Sequence, residues 1–406
     1  MTIPRLRFAY PKRRRLVYLG ATGNSLLGNY IKEDSSTTYR SVRDECNVWV
    51  ALFSVISGRW SARGYYQSFL RMVRPSIVIT FEDNSLEFYL TKAYRPECTT
   101  LCIQNGRRDT YSTEPDANIW QLIRDSVSPN LAPDVVATHG EPWSMYFREA
   151  LGQSRTTVIA IGSVRNNALP IGERRQAPRL LFVSSFPNIG AEGELEKKLS
   201  TILGYWQGVP VTFGQFYQLE GLIAQACADI ARIRGIQFGV LGKRPSWQRG
   251  ELSYFSNALS GSEWFFLASE TEASSYAAVA ENDLLVNIDS TFGYEMFARG
   301  VRVAFVSARM QHVGLHHIRD CEFGYPMVTQ PTGPFWTNQA TSEEVNRVVN
   351  YLIDANTEEW ESVSRQLRES VMPFDFGNTQ LCSLLSSLGI KTGGTREWSL
   401  DDAPKN

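Results

Sequence analysis

The chain has 406 residues, of which 43% are hydrophobic and 20% charged, and its formal net charge is −1. That length suggests two domains with ordinary cores, and the balanced charge gives no general reason to expect a nucleic-acid partner. No apolar run approaches the ~20 residues that span a bilayer, and the basic stretch 1–15 lacks the apolar core and cleavage site of a secretory signal.

Six cysteines, at 46, 98, 102, 227, 321 and 382, are too scattered for a disulfide framework. Cys98 and Cys102 lack the second pair that a zinc site needs. A reduced, cytoplasmic protein is expected. The densest charge run is Lys12-Arg13-Arg14-Arg15. It reads either as a solvated lead-in to the first strand or as an attraction to the anionic inner face of a membrane, worth roughly 1 kcal/mol per basic residue.

In chain order, residues 16–19 read as a first strand, and a Gly20–Gly28 loop then turns into a helical segment. The β-branched run 76–81 is a strong strand; it ends in Glu82-Asp83-Asn84, with a helix expected over 86–93. Strands follow at 99–103, 134–138 and 157–161, ending in Gln104-Asn105-Gly106, His139-Gly140-Glu141 and Gly162-Ser163, with a helix over 144–151. Strand, polar turn and helix in repetition predict a parallel sheet with crossover helices. Residues 165–179, rich in Asn, Pro and Arg, read as a linker. The rhythm then restarts: strand 180–184, a long helix over 216–233, strand 236–241, helix 251–259, strand 264–267, helix 274–280, strand 284–286, helix 294–299 and strand 301–306. Helices over 343–355 and 358–369 form a tail, and residues 393–406 are polar and expected to fray. The expected domains are therefore 1–164 and 180–392, joined by 165–179.

Ligands of open α/β sheets bind beyond the carboxyl ends of strands, so the residues there carry the functional reading. In 287–295, two hydroxyls and a glycine fall at a helix start between two apolar strands. Unpaired amides and the helix dipole favour an anion there. Asp289, Ser290, Thr291, Gly293 and Glu295 are the candidate donor-binding residues, with plain helix capping as the bland alternative. Lys243 and Arg244, followed by Pro245, suit a phosphate or a solvated loop. Glu82 and Asp83 offer a general base or nucleophile, or simply an N-cap. Gln104, Asn105 and Arg107 could hold an acceptor or an acidic sugar, although Asn-Gly is also a turn former. His139, beside Glu141, is a third catalytic candidate or an ordinary loop histidine. His312, His316 and His317 lack a completing carboxylate motif, so no metal is expected, and a place along the donor pocket suits them better. The Gly20, Gly23, Gly28 spacing is not a dinucleotide fingerprint, and neither a P-loop nor a nucleophile elbow occurs. No cofactor is expected.

Taken together, Val286 to Phe305 (VNIDSTFGYEMFARGVRVAF), Phe323-Gly324-Tyr325-Pro326 and Gly333-Pro334-Phe335-Trp336-Thr337-Asn338 resemble bacterial surface carbohydrate biosynthesis proteins of the GT-B glycosyltransferase fold, which make lipopolysaccharide and capsule. Ile79 to Asn84, Ile103 to Arg107 and Ile161-Gly162-Ser163 are similar too. The resemblance implies two Rossmann-like domains facing a cleft, a metal-independent transferase, an acceptor in the first domain and a nucleotide sugar in the second. It also implies that Ser290 and Thr291 meet donor phosphate and Glu295 the ribose. The motif is similar to the phosphate turn of enzymes using CMP-activated acidic sugars such as Kdo, and Glu82-Asp83 is similar in type to the Glu-Asp pair of capsule Kdo transferases, although the residues after it differ. The expected partners are a nucleotide-sugar donor and a glycan or lipid-linked acceptor. A GT-B-fold sugar-nucleotide epimerase and a non-catalytic subunit of a polysaccharide assembly complex are the competing readings.

Overall fold

The computed structural model describes residues 4–33, 35–108, 118–186, 195–271 and 273–393. The first sheet has six parallel strands in the order Ser36–Tyr39, Leu16–Leu19, Ile77–Thr80, Thr99–Ile103, Val135–Thr138, Thr157–Ala160. The second has seven, in the order Phe265–Leu267, Phe238–Leu241, Leu180–Val183, Leu284–Asn287, Arg302–Val306, Trp336–Thr337, Thr332–Gly333; only the last pairing is antiparallel. Central strands such as Leu180–Val183 and Leu284–Asn287 are buried throughout, because helices cover both faces of a parallel sheet. This is the two-domain α/β architecture of the GT-B fold, with a helical C-terminal region.

Side-chain alternation along the first sheet sets how it packs. Leu16, Tyr18, Ile77 and Ile79 join a core that continues into the second half, reaching Leu180, Tyr294 and Ile390. Val17, Leu19 and Val78 point the other way, into a separate core with Tyr66, Leu70 and Phe147. Apolar packing is thus continuous across the two halves, not confined to each.

Most expected elements appear within a residue or two of their bounds. The helix expected over 86–93 is two short turns, Leu86–Tyr89 and Thr91–Tyr94. The 294–299 helix starts earlier, at Thr291. The 165–179 stretch opens inside the helix Val164–Ala168, in which Asn166 and Asn167 are fully buried. Of the expected frayed tail only Gly393 lies within the described residues; its amide donates to Tyr30 O. Other elements are additional to those expected. They include the helices Val48–Ile56 and Ala62–Val73 and the hairpin Ile202–Trp206 with Val209–Thr212. The hairpin turns through Gln207 and Gly208, both at positive φ, as a two-residue turn matching strand twist requires. It delivers Trp206, fully buried, onto the ring of Phe216.

Candidate active site

Both sheets reverse their strand order at one place. In the first, Leu16–Leu19 is followed by a strand on one side and by Ile77–Thr80 on the other. In the second, Leu180–Val183 has Phe238–Leu241 on one side and Leu284–Asn287 on the other. Loops leave such a point in opposite directions and open a crevice. The second crevice holds a pocket of about 470 Å³. Asn105 and Arg107 enter it from the first half, and Arg165 from the crossing between the halves. Ser185, Lys243, Tyr276, Asp289, Ser290, Thr291 and Glu295 line it from the second, and Phe216, Tyr217 and Phe292 supply aromatic surface, with Trp206 packed on Phe216.

The turn into the helix Thr291–Ala298 is built by Asn287. Its amide donates to Ser290 O and its carbonyl accepts from Ser290 N, both at 3.2 Å. A Cβ on Gly293 would lie 2.2 Å from Asn287 Cγ, so this close packing needs glycine. Ser290 occupies the N-cap position without a side-chain cap bond. Among the described residues, the amides of Thr291 and Phe292 donate to no protein acceptor, which leaves them for an anion at the positive end of the helix. The Thr291 hydroxyl accepts from Arg107 N at 2.9 Å, so the two halves meet at this turn.

The two pocket acids are both held by the protein. Asp289 is bound through both oxygens by Arg309 (2.5 and 3.0 Å) and by the Ser185 hydroxyl at 2.9 Å. Burial alone would raise its pKa, but the Arg309 charge overcomes burial and holds it at about 2. Arg309 is itself 1% exposed; it also bonds Glu220 and lies 4.2 Å over the Phe216 ring. Glu295 is buried a full turn inside the helix, not in its first turn. It accepts from Ser163 at 2.6 Å and from Tyr276 at 2.7 Å. Burial raises its pKa against the opposing charge of Arg165. With the acids occupied, the cations Arg107, Arg165 and Lys243 set the sign of the pocket. Lys243 is crowded by protein yet reachable from solvent; burial first, then Arg244, lowers its pKa. Arg244 itself is not among the lining residues.

None of the three catalytic candidates lines this pocket. Glu82 stands at the first sheet's reversal point, where Thr22 Oγ1 donates to it at 3.3 Å. Asp83, 1% exposed, is gripped through both oxygens by Arg108 and accepts from Asn105 N at 3.3 Å. Its visible work is to anchor the 104–108 loop. Gln104 is fully buried; it accepts from His139 N at 2.9 Å and donates to Gly106 O at 2.9 Å. His139 is buried, and its Nδ1 has no hydrogen-bond partner among the described residues. His312, His316 and His317 do not line the pocket, and the helix Arg309–His312 ends before the last two. Among the described residues no three His, Cys, Asp or Glu side chains cluster as metal ligands.

Burial first, then the charges of Arg108 and Arg165, push the His139 imidazole down to about 3 from its ordinary 6.5. The unfolded chain therefore takes up a proton that the folded state refuses. Stability from this group is complete above pH ~6.5 and falls as pH drops toward 3. Wild type should lose about 3 kcal/mol more than His139→Met between pH 7 and pH 4 in urea titrations. Glu220, Glu251 and Glu295, raised by burial, act with the opposite sign in both proteins and cancel in this difference. Equal acid losses would refute the assignment.

Sequence reasoning missed Arg165, Tyr276, Ser185, Glu220 and Arg309. Ser185 and Arg309 do follow strands, so a stricter application of the strand-end rule finds them. Tyr276 and Glu220 lie within helices and gave no such signal.

HepE from Anabaena, solved in complex with UDP, matches with a TM-score of 0.50 at 11% identity, over 92% of this chain and 100% of that one. A Listeria monocytogenes structure described as a "putative UDP-N-acetylglucosamine 2-epimerase" matches with a TM-score of 0.51 at 10% identity, over 95% and 100%. At such identities these likenesses establish the fold. A search of curated protein sequences found no match. Residues 101–388 match the model of a family described as "putative O-antigen biosynthesis protein", and the chain belongs to that family.

Proposed function

We propose that the protein is a glycosyltransferase that takes a nucleotide-activated sugar in the interdomain pocket and transfers the sugar to a surface-glycan acceptor. The observation that carries this reading is the convergence at one crevice of first-turn helix amides, three cations and aromatic surface. A diphosphate or monophosphate linked to a flat base needs that combination. Thr291, Phe292 and Lys243 receive the phosphate, stabilising the leaving group as charge develops on it. A CMP-activated acidic sugar would place its carboxylate toward Arg107 and Arg165. Because Asp83 is consumed by Arg108, Glu82 is the better base for the acceptor hydroxyl, with Asp83 and His139 positioning the loops beside it.

A thermal-shift panel of CMP, UDP, GDP and dTDP tests the pocket. One nucleotide should stabilise the protein by roughly 2.7 kcal/mol at a hundredfold excess over its Kd, and Ser290→Ala with Thr291→Ala should weaken that shift. Mass spectrometry of the matching donor, with and without acceptor, tests the chemistry. An isomerised donor without acceptor would favour an epimerase, and nucleotide binding without any turnover would favour a binding subunit.

A further inference from the structure

We propose that the face formed by the N-terminal arm and the helix Val48–Ile56 docks onto an anionic lipid surface. An amphipathic helix ordinarily turns its apolar stripe inward. This one does the reverse. Trp49, Leu52, Phe53 and Ile56, spaced i, i+3, i+4 and i+7, are all exposed, Ile56 by 75%, while only Val50 and Ser54 are buried. Trp60, just beyond the helix, is 79% exposed.

The arm extends the same surface. Its strand Arg5–Arg7 pairs with Glu45–Asn47 immediately before the helix. Trp49 Nε1 donates to Phe8 O at 2.8 Å, Asn47 Nδ2 donates to Ala9 O at 2.8 Å, and the Tyr10 and Trp49 rings meet edge-on at 5.9 Å. Phe8, 70% exposed, and Tyr10 therefore lie beside the helical stripe. A contiguous apolar patch of this kind on a soluble surface calls for a partner.

Charge selects the partner. Residues 5–14 carry Arg5, Arg7, Lys12, Arg13 and Arg14 and no acid, and the exposed Arg63 lies beyond the far end of the helix. Of the arm cations, Arg7 pairs with Glu45. Aliphatic side chains with Trp and Tyr, bordered by long cationic chains that reach outward, match the depth profile of a headgroup region. Acidic headgroups supply the counter-charge the arm lacks. The helix has nine residues, and among the described residues no helix is long and apolar enough to cross a membrane, so the contact is with a surface. This inference stands apart from the donor pocket.

Flotation of the full chain with phosphatidylcholine vesicles, with and without phosphatidylglycerol, tests it. The protein should float with the phosphatidylglycerol vesicles, more weakly as salt rises. Ile56→Glu with Trp60→Glu, both at exposed positions, should weaken binding at least about tenfold while circular dichroism and nucleotide-induced thermal shifts stay unchanged. Lys12→Glu with Arg13→Glu should abolish the preference for phosphatidylglycerol. Wild type that stays unbound to both vesicles, or variants that float like wild type, would overturn the proposal. So would light scattering that shows a dimer dissociated by Ile56→Glu in a protein that ignores vesicles, since the face would then be a self-interface.

Discussion

Replacing Arg309 by methionine is expected to destabilise the protein by roughly 3–5 kcal/mol, because it leaves buried carboxylates without their counter-charge. Arg309 follows the strand Arg302–Val306 and reaches Asp289 and Ser185 at the ends of two neighbouring strands, and Glu220 on the long helix Phe213–Arg234. One guanidinium thus ties four elements together beneath the pocket. Methionine fills much of the volume, so the loss reports charge rather than a cavity. Urea titration would measure it. Asp289→Asn in the same background should recover part of the loss, since one unpaired charge is then removed, and the cycle should give a coupling of about 0.5–3 kcal/mol. A shift in stability below about 1 kcal/mol would show that the network is not what fixes the floor of the pocket.

The second large effect is on turnover. Lys243→Met should lower kcat/KM by about 10²–10³-fold, the size seen when one charge-stabilising group is removed. The fold should be unaffected. The backbone amide of Lys243, which donates to Glu251 at 2.9 Å, is retained, and the side chain is reachable from solvent. Arg244→Met is the matched control: it removes an adjacent cation that lies outside the lining, so its effect should be much smaller. Because burial lowers the Lys243 pKa, activity that needs its charge should begin to fall at a pH below the ordinary lysine range. Activity of Lys243→Met within about threefold of wild type would sink the phosphate assignment.

Much of the architecture was legible because parallel strands buried on both faces must be apolar runs. Leu16–Leu19, Leu180–Val183 and Leu284–Asn287 announce themselves in that way. The pocket turn was legible for a related reason, since a strand end, two hydroxyls at a helix start and a glycine occur together at 287–295. What was hidden depends on distance in the chain. Asp83 looked like a free acid until Arg108 was seen to hold it, 25 residues away. Glu295 reads as a first-turn acid only if the helix begins at Tyr294, and it begins at Thr291. The helix Val48–Ile56 is hidden in the sequence because nearly continuous apolarity has no period to read; only burial shows which side of it is wet.

The chain passes between the two halves twice, and both passages lie together. The outward one is the helix Val164–Ala168. The return follows the helix Thr357–Val371 and leads into Thr379–Ser387, which packs back on the first half. They are laced to each other: Asp375 N donates to Asn167 Oδ1 at 3.0 Å, Gly377 N to Asn167 O at 2.8 Å, and Asn378 Nδ2 to Val164 O at 2.8 Å. The two crossings are thereby fixed to each other, so any change in the angle between the halves would have to carry Asn167 and Asn378 together and break the contacts of Arg107 with Thr291 and Asp320.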